Sequence, residues 1–231
     1  MMSKVLSAVV MAHPFRRDDA EWLAKQVGGF AHYDAGGWGP GENFMRTLQA
    51  GLDDGGSVIW LSQDDAIPCI NVRYFAEEVA RAMDEHQIPI FLLAHNHVLG
   101  PWPFGMLRVS SSEWVYAISL LIHRRAAEQI LADYRQGLFV DESRSPRKPE
   151  WFSCDGWLTR WVRSKAVSVY AMKCWLQHGK PDKSLLGHTY RDGRRNVCRP
   201  FVGETYDAMK DLIDVLVGLA SVRGAVRRKW S

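Results

Sequence analysis

Cysteine is scarce in this chain, and no long apolar stretch occurs. The four cysteines, Cys69, Cys154, Cys174 and Cys198, form no CxxC pair. That spacing speaks against a zinc knuckle or a dithiol redox motif, and the thiols read as reduced residues of a cytoplasmic protein. No segment approaches the ~18–20 uninterrupted apolar residues of a membrane span. The opening MMSKVLSAVVMAHPFRRDD is too short and badly flanked for a secretory signal, and it reads better as a first strand. Familiar catalytic motifs are missing as well. GGWGPG lacks the GxGxxG spacing, HGKPDKS lacks the upstream glycine of a phosphate-binding P-loop, and no GxSxG elbow is present. His95, Asn96 and His97 are consecutive, whereas the residues of an HNH nuclease motif are spread along a hairpin and helix.

What remains is ordinary globular material: 231 residues, 47% hydrophobic and 24% charged, enough for one large domain. VLSAVVMA, ending at Ala12, reads as a central strand that opens into the polar loop HPFRR. RDDAEWLAKQVGG has Ala20, Leu23, Ala24 and Val27 at helical spacing, with Asp18 as a cap candidate and glycines at its end. FAHYDAGGWGPGE is a brief strand breaking into a glycine-rich loop, and NFMRTLQAGLDDGG is a second helix. NVRYFAEEVARAMDEHQ is a third helix, with Phe75, Val79, Ala82 and Met83 on one face, and IPIFLLAHN is the next strand. This alternation predicts an α/β fold with a mostly parallel, Rossmann-like sheet flanked by helices.

The second half predicts strands and then a helix from about His123 to Arg135, followed by the charged loop FVDESRSPRKPEW. CDGWLTRWVRSKA restarts helical periodicity, with Trp157 and Trp161 on one buried face, and VSVYAMKCWLQH reads as a strand. The closing GETYDAMKDLIDVLVGLASVRG predicts a helix with Met209, Leu212, Ile213, Leu216 and Leu219 inward. With no internal repeat and no clean linker, the chain reads as a single domain over residues 1–231.

Ligands of parallel sheets sit at the carboxyl ends of the strands. Three polar clusters fall at those predicted ends: His13 to Arg17, Tyr33 to Trp38, and Gln63 to Asp65. In SVIWLSQDDAIPC a buried strand delivers two adjacent carboxylates, Asp64 and Asp65. A plain turn accounts for them, because Asp enters turns readily. A metal site accounts for them equally, because hard cations want carboxylate oxygens.

The order of elements and WLSQDDAIP resemble nucleotide-sugar-dependent glycosyltransferases of the GT-A type, whose acidic strand end bridges a divalent ion to the donor diphosphate. YAMKCWLQHGKPDKSLLGH is similar to the later strand and loop of those enzymes, with Cys174 where proline is usual. WVYAISLLIHRRAAEQIL and FSCDGWLTRWV are similar to the unit that precedes it. The resemblance spans about Val5 to His188. It implies Asp65 and His178 as metal ligands, Asp64 as their neighbour or a ribose partner, and Asp155 as the general base toward the acceptor. Gln63 stands where Glu is commoner and is not counted as a ligand. The donor would lie along Ala12, His13, Arg16, Arg17 and Asp34, the arginines pairing with phosphate. The implied cofactors are Mn²⁺ or Mg²⁺ and a nucleotide-sugar, a UDP-sugar above all. The implied halves are about 1–97 for the nucleotide-sugar and 98–203 for the acceptor and the completed metal site, with 204–231 as C-terminal helix and basic tail.

Bland roles compete at each position. His178 also suits a satisfied buried histidine, Asp155 a helix cap, and His13 and Arg17 ordinary loop positions. Net charge is only +3, yet Arg191, Arg194, Arg195, Arg199, Arg223, Arg227, Arg228 and Lys229 crowd the last fifth. They form either a solvated face or a contact for a polyanion. Small single-domain enzymes of this look occur in bacteriophages, so DNA carrying a hydroxymethylated pyrimidine is one acceptor class. A virion or envelope component is another. A non-catalytic nucleic-acid-binding protein would also explain the arginines and the ten tryptophans.

Overall fold

The computed structural model describes residues 4–94, 107–108, 115, 117–146, 148–171, 176–178 and 204–222. Strand β1 (Leu6–Ala12) leads through a 3-10 turn at Pro14–Arg16 into helix α1 (Arg17–Val27). Strand β2 (Phe30–Tyr33), helix α2 (Pro40–Asp53) and strand β3 (Val58–Gln63) follow. After the short β4 (Ala66–Pro68) come α3 (Val72–His86), β5 (Ile90–Leu92) and β6 (Leu107–Arg108). Then come β7 (Ser119–His123), α4 (Arg124–Arg135), α5 (Cys154–Ser164), β8 (Val169–Ala171), β9 (Leu176–His178) and α6 (Leu212–Ser221).

The main sheet has seven strands in the order β2-β1-β3-β7-β5-β8-β6. β1 pairs in parallel with both β2 and β3, and β5 with β8. The fold is thus α/β with a mostly parallel sheet flanked by helices, as the alternation predicts. The departures are β7, antiparallel to both β3 and β5, and β6, antiparallel to β8. SLLIH is buried at every position, so its apolar run carries no alternation and no sign of direction.

Both faces of the sheet are covered, which is why its central strands are apolar throughout. Along β3, Val58 and Trp60 pack with α1, α3 and α6, while Ile59 and Leu61 pack with α2, α4 and α5. Fully burying side chains of this size stabilises the fold by about 1.5–3 kcal/mol each. The indole N–H of Trp60 donates to Ser119 Oγ of β7 at 3.0 Å, so its polar atom is satisfied inside the core. Gly28 ends α1 in the left-handed region at φ 70°, and a side chain on Gly29 would strike the Ala8 carbonyl. Those glycines let α1 return tightly onto β1.

Three local expectations are corrected. Asp18 lies inside the first turn of α1, where it complements the helix dipole, and does not cap it. VSVYAMKCWLQH is two strands in different sheets, β8 in the main sheet and β9 paired antiparallel with β4. In the C-terminal helix Val215 and Leu219 face inward, whereas Ile213 is 75% exposed. The preceding 3-10 turn at Ala208–Asp211 shifts the register of the α6 face, and 3.6-residue spacing counted from Met209 misses that step.

Candidate active site

The sheet topology creates a crevice before any side chain is considered. α1 carries the chain from β1 outward to β2, and α2 brings it back past β1 to β3 on the opposite face. The carboxyl ends of β1 and β3 therefore lie side by side where the chain reverses direction. That is the usual ligand crevice of an open α/β sheet.

Both ends carry charge. Beyond β1, the main-chain N–H of His13 donates to Asp64 Oδ2 at 2.7 Å. Nη1 of Arg16 lies 3.1 Å from Asp64 Oδ1 and 2.9 Å from Asp65 Oδ2. One guanidinium thus serves two adjacent carboxylates. The side chains are mostly enclosed: Arg16 is 15% exposed, Asp64 9% and Asp65 13%. Burial raises the Asp64 pKa above its ordinary value, and the neighbouring Asp65 charge adds to that, against the His13 N–H and Arg16. Burial disfavours the Arg16 charge, but Asp65 and Asp64 outweigh it and hold that pKa above normal.

The other predicted residues are placed as follows. The Ala12 carbonyl closes β1, accepting from the Asp34 N–H at 2.9 Å and from Asn43 Nδ2 at 3.3 Å. Asp34 stands just beyond β2, but its two oxygens accept the backbone N–H groups of Trp38 (2.7 Å) and Gly39 (3.1 Å). Its observed task is to shape the loop entering α2, where Gly39 adopts φ 82°. Arg17 is exposed, reaches Glu21 at 3.6 Å and lies over the Tyr33 ring, away from the acidic pair's own contacts. His13 Nδ1 accepts from the Phe15 N–H and so caps the 3-10 turn that carries Arg16.

Asp155 reaches the same edge from the opposite face. Ser153 caps α5 by accepting from the Gly156 N–H, so capping is not the task of Asp155. Asp155 Oδ1 accepts from the Ala117 N–H at 2.7 Å, and the Ala117 carbonyl accepts from Gln63 Nε2 at 3.3 Å. Two hydrogen bonds therefore connect Asp155 to the residue preceding the acidic pair. In the small second sheet, His178 is the register partner of Ala66, one residue beyond Asp65. Its side chain lies outside the described residues, as do Cys174, Cys198, Arg191, Arg194, Arg195, Arg199, Arg223, Arg227, Arg228 and Lys229.

The kind of donor atom fits a hard divalent cation, since two carboxylates project from one strand end. Asp64 and Asp65 would hold it, with the main chain of His178 one pairing step away. Among the described residues no group of three His, Cys, Asp or Glu side chains gathers as a metal cluster. The cation seen at the pair is the chain's own Arg16.

Asn43 was not anticipated from sequence. It sits in α2, buried at 6% exposure, with Oδ1 lacking a hydrogen-bond partner among the described residues. The available signal was a polar residue on a mostly apolar face, beside Phe44, Leu48 and Leu52 and one turn before the buried Thr47. Against known proteins, the chain matches no family model and no curated sequence. Among the described residues no helix is long and apolar enough to cross a membrane.

Proposed function

We propose that the chain is a metal-dependent glycosyltransferase of the GT-A type, moving a sugar from a nucleotide-sugar, a UDP-sugar foremost, to a hydroxyl acceptor. The supporting observation is the meeting of Asp64, Asp65 and Arg16 at the carboxyl edge of β1 and β3, with Asp155 linked to that edge through Ala117 and Gln63. In this reading the acceptor O–H attacks the anomeric carbon, a new C–O bond forms, and the sugar–phosphate C–O bond breaks. Asp155 takes the acceptor proton while the nucleoside diphosphate leaves with the bonding electrons. The Ala117 N–H orients Asp155 for that task. A bound Mn²⁺ or Mg²⁺ supplies charge stabilisation at the leaving diphosphate without proton transfer. Asp65 and Asp64 hold that charge at the crevice, with His178 as the third candidate ligand. Hydroxymethylated pyrimidine in DNA is the acceptor class we favour, on the basic residues of the last fifth, and its binding should weaken steeply with salt.

Calorimetry with UDP-sugars, with and without Mn²⁺, tests the reading. Wild-type protein should bind at least one donor only when metal is present. Asp65→Ala should abolish that binding while retaining the native circular dichroism spectrum. Metal-independent binding, or no binding of any nucleotide-sugar, would overturn it. Activity on a small or protein acceptor without DNA binding at low salt would remove the DNA part alone.

A further inference from the structure

The acidic pair already holds a cation. Arg16 Nη1 lies within hydrogen-bond distance of Asp64 Oδ1 and of Asp65 Oδ2. The other Asp64 oxygen is taken by the His13 N–H at 2.7 Å, and the other Asp65 oxygen is buried from solvent. The oxygens that remain for an incoming cation are thus those that face Arg16. A divalent ion that takes those oxygens competes with the guanidinium for their lone pairs. Two cations there would also repel strongly in a poorly hydrated site.

We infer that Arg16 is the exchangeable resident cation of the Asp64–Asp65 pair, displaced when a divalent ion binds and then turned toward the anionic ligand of the same crevice. Displacing Arg16 leaves it on the short turn Pro14–Arg16, beside the first turn of α1 and at the crevice mouth. A long side chain on a three-residue turn can change partners without moving β1 or α1. In the unliganded protein Arg16 neutralises two carboxylates that would otherwise repel each other, which keeps the crevice intact. In the loaded protein the same guanidinium faces phosphate, a geometry it suits. The exchange itself requires only a divalent ion. Its second half, the transfer to phosphate, rests on the nucleotide-sugar reading.

Titration of Mn²⁺ alone, without nucleotide, tests the exchange. Arg16→Gln removes the competitor and should bind Mn²⁺ at least about fivefold more tightly than wild type, the low end of typical coupling between sites. Arg16→Lys keeps a charge but cannot bridge two carboxylates as a fork, and it should fall between them. Equal or weaker Mn²⁺ affinity in folded Arg16→Gln, or no Mn²⁺ binding to either protein, would overturn the inference. Side-chain NMR of arginine-labelled wild type covers the case in which the variants do not fold. Slow rotation of the Arg16 guanidinium should be lost as Mg²⁺ saturates, and an unchanged signal would also overturn it. UDP titrated at saturating Mn²⁺ then separates the two claims. Weaker UDP binding by Arg16→Gln supports the transfer to phosphate. Unaltered UDP binding beside tightened Mn²⁺ binding leaves the exchange standing and overturns the transfer to phosphate, whereas no UDP binding by either protein counts against the donor reading.

Discussion

Two enclosed carboxylate sites in this molecule are built on opposite plans. Under α4 and α5, Asp133 is 4% exposed and accepts from the Trp161 indole at 2.8 Å, with Lys165 Nζ at 3.0 Å. One acid meets one cation and one neutral donor, the donor being the edge of a Trp161 ring that stacks with Trp157. At the sheet edge the ratio reverses, and Asp64 and Asp65 share one Arg16 nitrogen. The first arrangement needs nothing further to be at rest, which marks it as structural. The second places like charges side by side in a topological crevice, and burial already raises the Asp64 pKa. Such a site gains from a more highly charged cation, as the core site does not.

The sharpest way to break this comparison is to remove a carboxylate from each site and compare stability. Asp133→Ala should cost about 2 kcal/mol in urea unfolding, chiefly because it strands the buried Trp161 indole N–H, the exposed Lys165 adding little. Asp65→Asn should cost less than that, because Arg16 keeps Asp64, a like-charge neighbour is gone and the amide keeps the side chain's shape in an enclosed pair. Equal losses at the two sites would mean that the edge pair is structural after all.

The same contrast explains what was readable in advance. Trp157 and Trp161 were legible as core because they fall one helical turn apart on an apolar face. The Asp64–Asp65 pair was legible because it follows a continuous apolar strand, and strand ends of parallel sheets are where ligands bind. The direction of β7 was not legible, because a strand buried on both faces looks the same read either way. The sharing of Arg16 was hidden for a different reason. Asp64 lies 48 residues away from it in sequence, so only the β1–β3 pairing brings them together. Asp34 misled because a strand-end carboxylate looks alike whether it faces a ligand or closes its own loop.

The smallest expected effect lies at the opposite end of the sheet, where a histidine rather than a carboxylate is enclosed. His123 ends β7 and caps α4, its Nδ1 accepting from the Arg125 N–H at 3.3 Å. That bond puts the neutral ring's proton on Nε2, 3.4 Å from Asp84 Oδ1 and from Gln87 Nε2. Burial lowers the His123 pKa below its ordinary 6.5, with Arg125 assisting and Asp84 and Glu128 opposing. The unfolded chain therefore binds a proton that the folded chain resists. This contribution to stability is complete above about pH 6.5 and declines as pH falls from there toward the folded pKa. His123→Asn keeps a good capping acceptor but does not titrate. Its stability at pH 8 should match wild type within about 0.5 kcal/mol, given that Asn and His both offer an acceptor at this cap. Between about pH 5 and 6.5 the variant should lose less stability than wild type, because one proton-linked term has been removed. Chemical denaturation across that range measures the difference directly, and parallel curves would show that the His123 cap is indifferent to protonation.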